Sequence, residues 1–577
     1  MSFKEWSRKG YKKWQQVSNI MQYNLFDNGL YQIGVTVDDK KSDSNVIIIA
    51  EPAFFAPRDI VISLGEDPEQ KMLYKSYIEK VAKIFVEDRG AYVQDTTIAQ
   101  DALNVVNFEI ELAKLTLSNE DSRDIDKVYN PLTIEELQQA YDTQHPKRGK
   151  INWFERIQKL FAPLGIKIDP SEKLVVHAYK YLTSLVSLLE QTSSRTIVNY
   201  MQWNLVRNLL PYTERTETIA IALATQFQGK EADNSRWKSC VKKTNLDSAI
   251  SYEYAKRYVQ HENKEDISNM ITNIANVVRE QIKESTWMDQ PTKKASLEKL
   301  ALMRKQVLTP DWYSNKAIDK YYNGLTITSE YLESVTNLFK FEAKRMLRKL
   351  RQPVDKNEWL MEPTIVNAYH NPSGNEIVIT AAISQDPVYS KHRPEFMNYG
   401  ALGTVIGHEI NHGFDNLGRK YDKNGNSIQW WTQETIDKYE QLTQCFVDQY
   451  NGYLVPSLEE SKIYVNGRLT LGENIGDSAG VVVAYYAYKD RKAKLNEPEL
   501  RLKGLEEYSD DQIFFTSFAQ AFCENFTPQR LQVLILDEHP RGETRIRGSL
   551  SNFPEFSKAY NCPAGKGMNP DKKCTLW

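Results

Sequence analysis

The chain has 577 residues, too many for one hydrophobic core, and so predicts two large lobes. A formal net charge of −3 in an ordinary globular composition gives no reason to expect a nucleic-acid partner. No window is long and apolar enough to span a bilayer, and Met1 to Asn19 is basic and polar, without the apolar core of a secretory signal. In chain order, Lys4, Trp6, Tyr11 and Trp14 predict a short first helix. Leu30 to Thr36 and Val46 to Ala50 read as strands joined by the polar turn Asp38 to Asn45. Pro52, Pro57 and Gly65 break the next region, and helical periodicity starts near Gln70, with Leu73, Tyr77, Val81 and Ile84 on one stripe. Leu103, Val106, Phe108 and Leu112 belong to another apolar stretch. Further helices are predicted over 151–161, 172–191, 194–210, 248–261, 266–284, 293–303 and 329–351. Between Arg351 and Pro363 a charged connector ends this pattern, and the short apolar runs 365–369 and 376–383 follow. The expected division is a mainly helical lobe over 1–335 and a second lobe over 336–577 that carries the chemistry.

That chemistry centres on Gly400 to Asp422, GALGTVIGHEINHGFDNLGRKYD. His408-Glu409-Ile410-Asn411-His412 is an H-E-x-x-H pattern in a helical context. Two histidines four residues apart project from one helix face and can chelate one tetrahedral zinc ion. Glu409 lies about 100° round the helix from His408, where its carboxylate reaches a metal-bound water rather than the metal. Leu402, Val405 and Ile406 would bury the helix, and Gly407 admits a neighbouring backbone. The pattern fixes only three residues, so an amphipathic helix with two solvated histidines is the competing reading until a third ligand is found. Glu473 fills that place. Leu471 to Ala487 is a second helical stretch in which Glu473 and Asp477 share a face, and Gly476 and Gly480 leave that face bare. Asp477 would then take the outer nitrogen of a ligating histidine. An acidic helix start suited to the helix dipole is the alternative for Glu473 alone.

These residues, with NAYHNP (Asn367 to Pro372), NEIVI (Asn375 to Ile379), VIGHEINHGFDNLGRKYD, GENIGD (Gly472 to Asp477), SLSNFPEFSKAYNC and MNPDKKCTLW, resemble the neprilysin and endothelin-converting-enzyme family of zinc endopeptidases. The resemblance implies a mostly α fold with a small β part (α+β), in which a thermolysin-like catalytic lobe and a large helical lobe enclose a cleft. It implies one Zn2+ per chain, held by His408, His412 and Glu473, with Glu409 as general base and Asp477 and Asp415 orienting the two histidines. His539 would stabilise the developing oxyanion, and Arg545 would hold the substrate or a carboxylate of the site. Asn367 and Ala368 match positions that bind the substrate backbone, Val405 matches a residue flanking the cleft, and Phe522 falls where the family places a pocket aromatic. The implied reaction is cleavage of oligopeptides on the amino side of hydrophobic residues; a binding protein that keeps the fold with little or no activity is the alternative. Three features depart from the family. His370 replaces an aromatic and reads as a solvent-facing turn residue, with competition for the metal as the alternative, ITAAIS (Ile379 to Ser384) replaces a stretch richer in proline and glycine, and Thr404 replaces a methionine; these positions line or flank the implied cleft. Cys445 and Cys574 match a family disulfide, which implies an extracellular setting. In the family, Cys240, Cys523 and Cys562 pair with upstream cysteines, so an N-terminally shortened member is expected; free thiols in a cytosolic protein are the competing reading. The sequon at Asn525 is expected to be packed and unglycosylated. Nothing in the sequence sets the oligomeric state.

Overall fold

The computed structural model describes residues 13–230, 235–260, 262–494 and 501–577. It is mostly helical, with two small sheets, as the sequence predicts. Helix Trp14–Leu25 buries Trp14 and Met21; Lys4, Trp6 and Tyr11 lie outside the described residues. Strands β1 (Gln32–Asp38) and β2 (Lys41–Ala50) leave only Asp39 and Lys40 as the turn, so the polar run after it is strand rather than loop. Ser42 explains part of this: it is buried, donating its N–H to Asn426 Oδ1 (2.8 Å) and its hydroxyl to the Asn424 carbonyl (2.7 Å).

Asp67 caps the helix Pro68–Asp88 by accepting from the Gln70 N–H, with Pro68 at the first helical position, where its missing N–H costs nothing. The residues it buries are Tyr74, Ile78 and Val81, of which Val81 belongs to the predicted stripe and the other two lie one residue beyond Leu73 and Tyr77. Strands β3 (Asn130–Thr133) and β4 (Lys173–Val176) complete a sheet of order β1-β2-β4-β3, with β4 parallel to β2 (Ile47 opposite Leu174) and antiparallel to β3. The helix expected over 172–191 is therefore split. Leu174, Val175 and Val176 form the buried strand, and the helix begins at Tyr179. A short apolar run flanked by helix has no periodicity of its own to decide between the two.

A second sheet holds β5 (Arg304–Leu308), β6 (Ala368–Asn371) and β7 (Glu376–Thr380) in the order β5-β7-β6. Strand β7 is buried at every position and pairs parallel with β5 and antiparallel with β6, which leaves β6 with one edge unpaired among the described residues.

The described residues form two compact units interleaved in sequence, not divided once near residue 335. One gathers residues within Met1–Asp38, Asp43–Asn245 and Gly324–Val354, and the other residues within Asp39–Ser42, Leu246–Asn323 and Asp355–Trp577. Packing accounts for the interleaving. Helix Glu262–Glu284 buries Ile267, Ile271, Ile274 and Val278 in the core that contains Ile406 and Ile410 of the H-E-x-x-H helix. Leu347 and Leu350, in turn, join the core of Trp14, Tyr31 and Trp153. No described helix is long and apolar enough to cross a membrane.

Candidate metal centre

The second unit carries the site. Helix Thr404–His412 follows directly on a π-helical turn, Tyr399–Gly403, a distortion often found at functional sites. It packs against the helix Leu471–Ala493, which is buried at every position from Gly472 to Val481. Glycines set the approach. A Cβ on Gly407 would stand 2.7 Å from the Gly480 carbonyl oxygen, one on Gly480 would stand 2.7 Å from the His408 nitrogen, and one on Gly476 would strike the His408 ring at 2.8 Å. The bare face expected of Gly476 and Gly480 is thus where the His408 ring and its backbone lie.

His408, His412 and Glu473 converge. His408 Nε2 is 3.2 Å from Glu473 Oε2, and His412 Nε2 is 3.5 Å from Glu473 Oε1. A tetrahedral ion with bonds of about 2.0–2.1 Å holds neighbouring donors about 3.4 Å apart, so this spacing suits zinc. Glu473 Oε2 is also buried without an aligned hydrogen-bond donor, a deficit that a cation would relieve. The donor set therefore fits the metal. Glu409 is buried beside it in sequence, 6% exposed.

Both Nδ1 atoms of this histidine pair face carboxylates. His412 Nδ1 is 2.7 Å from Asp415 Oδ2, and Asp415 Oδ1 accepts the Leu417 and Gly418 N–H groups. His408 Nδ1 is 2.9 Å from Asp477 Oδ1, a charge contact without hydrogen-bond alignment. Arg545 grips Asp477 with two bonds of 2.7 Å, Nε to Oδ2 and Nη2 to Oδ1. Of the two roles the resemblance implied for Arg545, this geometry supports holding a carboxylate of the site. Burial would raise Asp477, but Arg545 and His408 hold it down at about 2. Burial would likewise raise Glu473 and lower His408. Instead, His412, His408 and His539 hold Glu473 well below the ordinary carboxylate range, and Asp477 and Glu473 hold His408 above the ordinary imidazole range.

His539 joins the same cluster, its Nε2 3.1 Å from Glu473 Oε2. Asp537, given no role by sequence, fixes it: Asp537 Oδ1 lies 2.8 Å from both the backbone nitrogen and Nδ1 of His539. The adjacency Asp537-Glu538-His539 was the available signal. Phe522 stacks under the Arg545 guanidinium, 4.7 Å from ring centre to Cζ, and borders a cavity of about 800 Å³ with Phe526, Leu531, Ile546 and Met568. Strand β6 packs against the Thr404–His412 helix. Ala368 is buried on it, and the exposed Asn367 precedes it, accepting the Ala368 N–H on its own side chain at 3.0 Å. Val405 is half-buried.

A comparison with known proteins decides the assignment. The model for peptidase family M13 matches residues 367–576, and the model for the N-terminal part of the same family matches residues 2–310. The chain belongs to peptidase family M13. The endothelin-converting enzyme homolog of Locusta migratoria is 35% identical over 588 residues, spanning 100% of this chain and 77% of that protein. Human neprilysin is 32% identical over 583 residues, spanning 99% of this chain and 77% of that protein. The crystal structure of Mycobacterium tuberculosis zinc metalloprotease ZMP1 with an inhibitor superposes with a TM-score of 0.84 at 26% identity, covering 98% of this chain and 82% of that one.

In this M13 peptidase two expectations change, those for His370 and Asn525. His370 is no solvent-facing turn residue: it lies on β6 with Nε2 buried and unpartnered, and burial, Lys299 and His412 push its pKa well below the usual range. Thr404 is buried, and its hydroxyl donates back to the Ala401 carbonyl at 2.7 Å. Asn525 is exposed, not packed. The Cys445–Cys574 disulfide is formed, with Cα atoms 5.6 Å apart; Cys240 and Cys523 are exposed thiols and Cys562 a half-buried one.

Proposed function

We propose that this M13 metallopeptidase uses one zinc ion, held by His408, His412 and Glu473, to cut oligopeptides on the amino side of hydrophobic residues. The convergence of those three donors beside the buried Glu409 carries the reading. Zinc, when bound, supplies Lewis acidity toward the scissile carbonyl and the attacking water. Glu409 takes a proton from that water as its oxygen bonds to the carbonyl carbon. It returns the proton to the departing amine as the C–N bond breaks. With its Nδ1–H donated to Asp537, His539 in its imidazolium form donates Nε2–H to the carbonyl oxygen as negative charge builds there. Arg545 acts through Asp477, keeping its carboxylate behind His408.

The unpaired edge of β6 supports pairing with an extended peptide backbone, with Asn367 and Ala368 contributing its contacts. Val405 and Phe522 supply apolar surface for a hydrophobic side chain. A quenched fluorescent peptide tests the whole. Glu409→Gln should keep zinc and lose roughly 10²–10⁴ in kcat. Wild-type protein that holds zinc without turning over the peptide, or a variant as fast as wild type, would contradict the reading.

The disulfide supports an oxidising, extracellular location. Native protein alkylated with iodoacetamide before digestion should yield Cys445 and Cys574 as one linked peptide pair. Alkylated Cys445 and Cys574 from native material would place the protein elsewhere.

A further inference from the structure

Lys299, on helix Gln290–Leu302, is fully buried. Burying an ammonium is costly unless its hydrogens are satisfied, and here one nitrogen donates to three backbone carbonyls: Gly413 (2.7 Å), Gly418 (2.8 Å) and Tyr421 (2.7 Å). The rings of Phe414 and Trp430 flank it, with centroids 5.6 and 5.4 Å away. These acceptors are not scattered. Gly413 caps the Thr404–His412 helix, where carbonyls lack intrahelical donors, and Gly418 and Tyr421 lie on the far side of the loop that leaves it. Between them sits Asp415, which accepts the Leu417 and Gly418 N–H groups on one oxygen and faces His412 Nδ1 with the other. A single ammonium therefore closes the loop whose one carboxylate holds a metal-facing imidazole. A core lysine kept only for packing would not need its three donors to meet on this loop.

We propose that Lys299 is a positioning residue for the metal centre: by tying Gly413, Gly418 and Tyr421 together it fixes Asp415, and through Asp415 the orientation of His412. The proposal rests on His408, His412 and Glu473 being the metal ligands. Lysine suits the task because its compact ammonium has three donors on one atom, whereas the planar fork of arginine spreads its donors apart.

The test uses the full chain with Lys299→Met and Lys299→Arg. Zinc Kd is measured by chelator competition, the visible absorption of the cobalt-substituted protein is recorded, and kcat and KM are determined at saturating zinc. Lys299→Met should raise the zinc Kd by about 10–100-fold, the usual cost of losing a group that supports a metal ligand. It should also alter the cobalt band and lower kcat, with KM within about twofold of wild type. Lys299→Arg should restore the charge but only part of the affinity. Variants that melt earlier yet keep the wild-type zinc Kd and cobalt spectrum would make Lys299 a structural lysine and overturn the proposal. If Lys299→Met does not fold, Lys299→Arg decides by the same two readings. Wild-type protein that binds no zinc would instead defeat the metal-site reading itself.

Discussion

Behind each metal-facing imidazole stands a carboxylate, and each carboxylate is itself held. Asp415 is held by two backbone N–H groups, and Asp477 by the two-pronged grip of Arg545. Such backing fixes ring orientation and raises ligand basicity. A different carboxylate gives the clearest pH signature. Glu51 accepts the Leu117 N–H at 2.8 Å, and burial, opposed by that bond and by Arg58, raises its pKa from 4.5 to about 7. Between those two values the folded chain keeps a proton that the unfolded chain has released. Its contribution to stability is therefore complete below pH 4.5, shrinks as pH rises, and is gone above about 7. Glu51→Gln, which still offers a carbonyl to Leu117, should flatten that part of the melting temperature against pH; curves that stay parallel to wild type would show that Glu51 titrates normally. The candidate metal ligands were legible in sequence because helical spacing puts His408 and His412 on one face, and Glu473 with Asp477 on another. His370 and Lys299 were not, since His370 looks like a surface residue until β6 is folded against the Thr404–His412 helix, and Lys299 until the Gly413–Tyr421 loop is folded against it.

Two helices carry all three candidate metal donors, so their separation sets the donor geometry. That separation depends on positions without side chains. At Gly480 a Cβ would press on the His408 nitrogen at 2.7 Å and the Thr404 carbonyl at 2.9 Å, both backbone atoms that cannot rotate aside. Gly480→Ala should therefore cost about 1–3 kcal/mol through overpacking and lower the melting temperature of the zinc-free protein; an unchanged melt would mean that the helices part without strain. The glycines announced this contact in sequence, because their spacing matches the ligand face. Strands β4 and β5 had no comparable signal. Leu174-Val175-Val176 is too short to show a period, and β5 is recognisable as a strand only through its pairing with β7.

At the scale of the whole chain, the order of segments does not follow the order of cores. Residues 246–323 precede the helix Tyr331–Arg348 but pack with the metal centre, while that helix returns to the first unit. A boundary read from composition cannot find such a return, because the contacts that define it are distant in sequence. The Cys445–Cys574 bridge likewise joins residues 129 apart, and only the family resemblance pointed to it. What unites these levels is one candidate cation site, His408, His412 and Glu473, at the junction of two helices. Crystals of the zinc-loaded chain, measured on either side of the zinc absorption edge, test it most directly. One anomalous peak per chain should lie within bonding distance of His408 Nε2, His412 Nε2 and Glu473. A peak held by other residues, or none in zinc-loaded protein, would contradict the account.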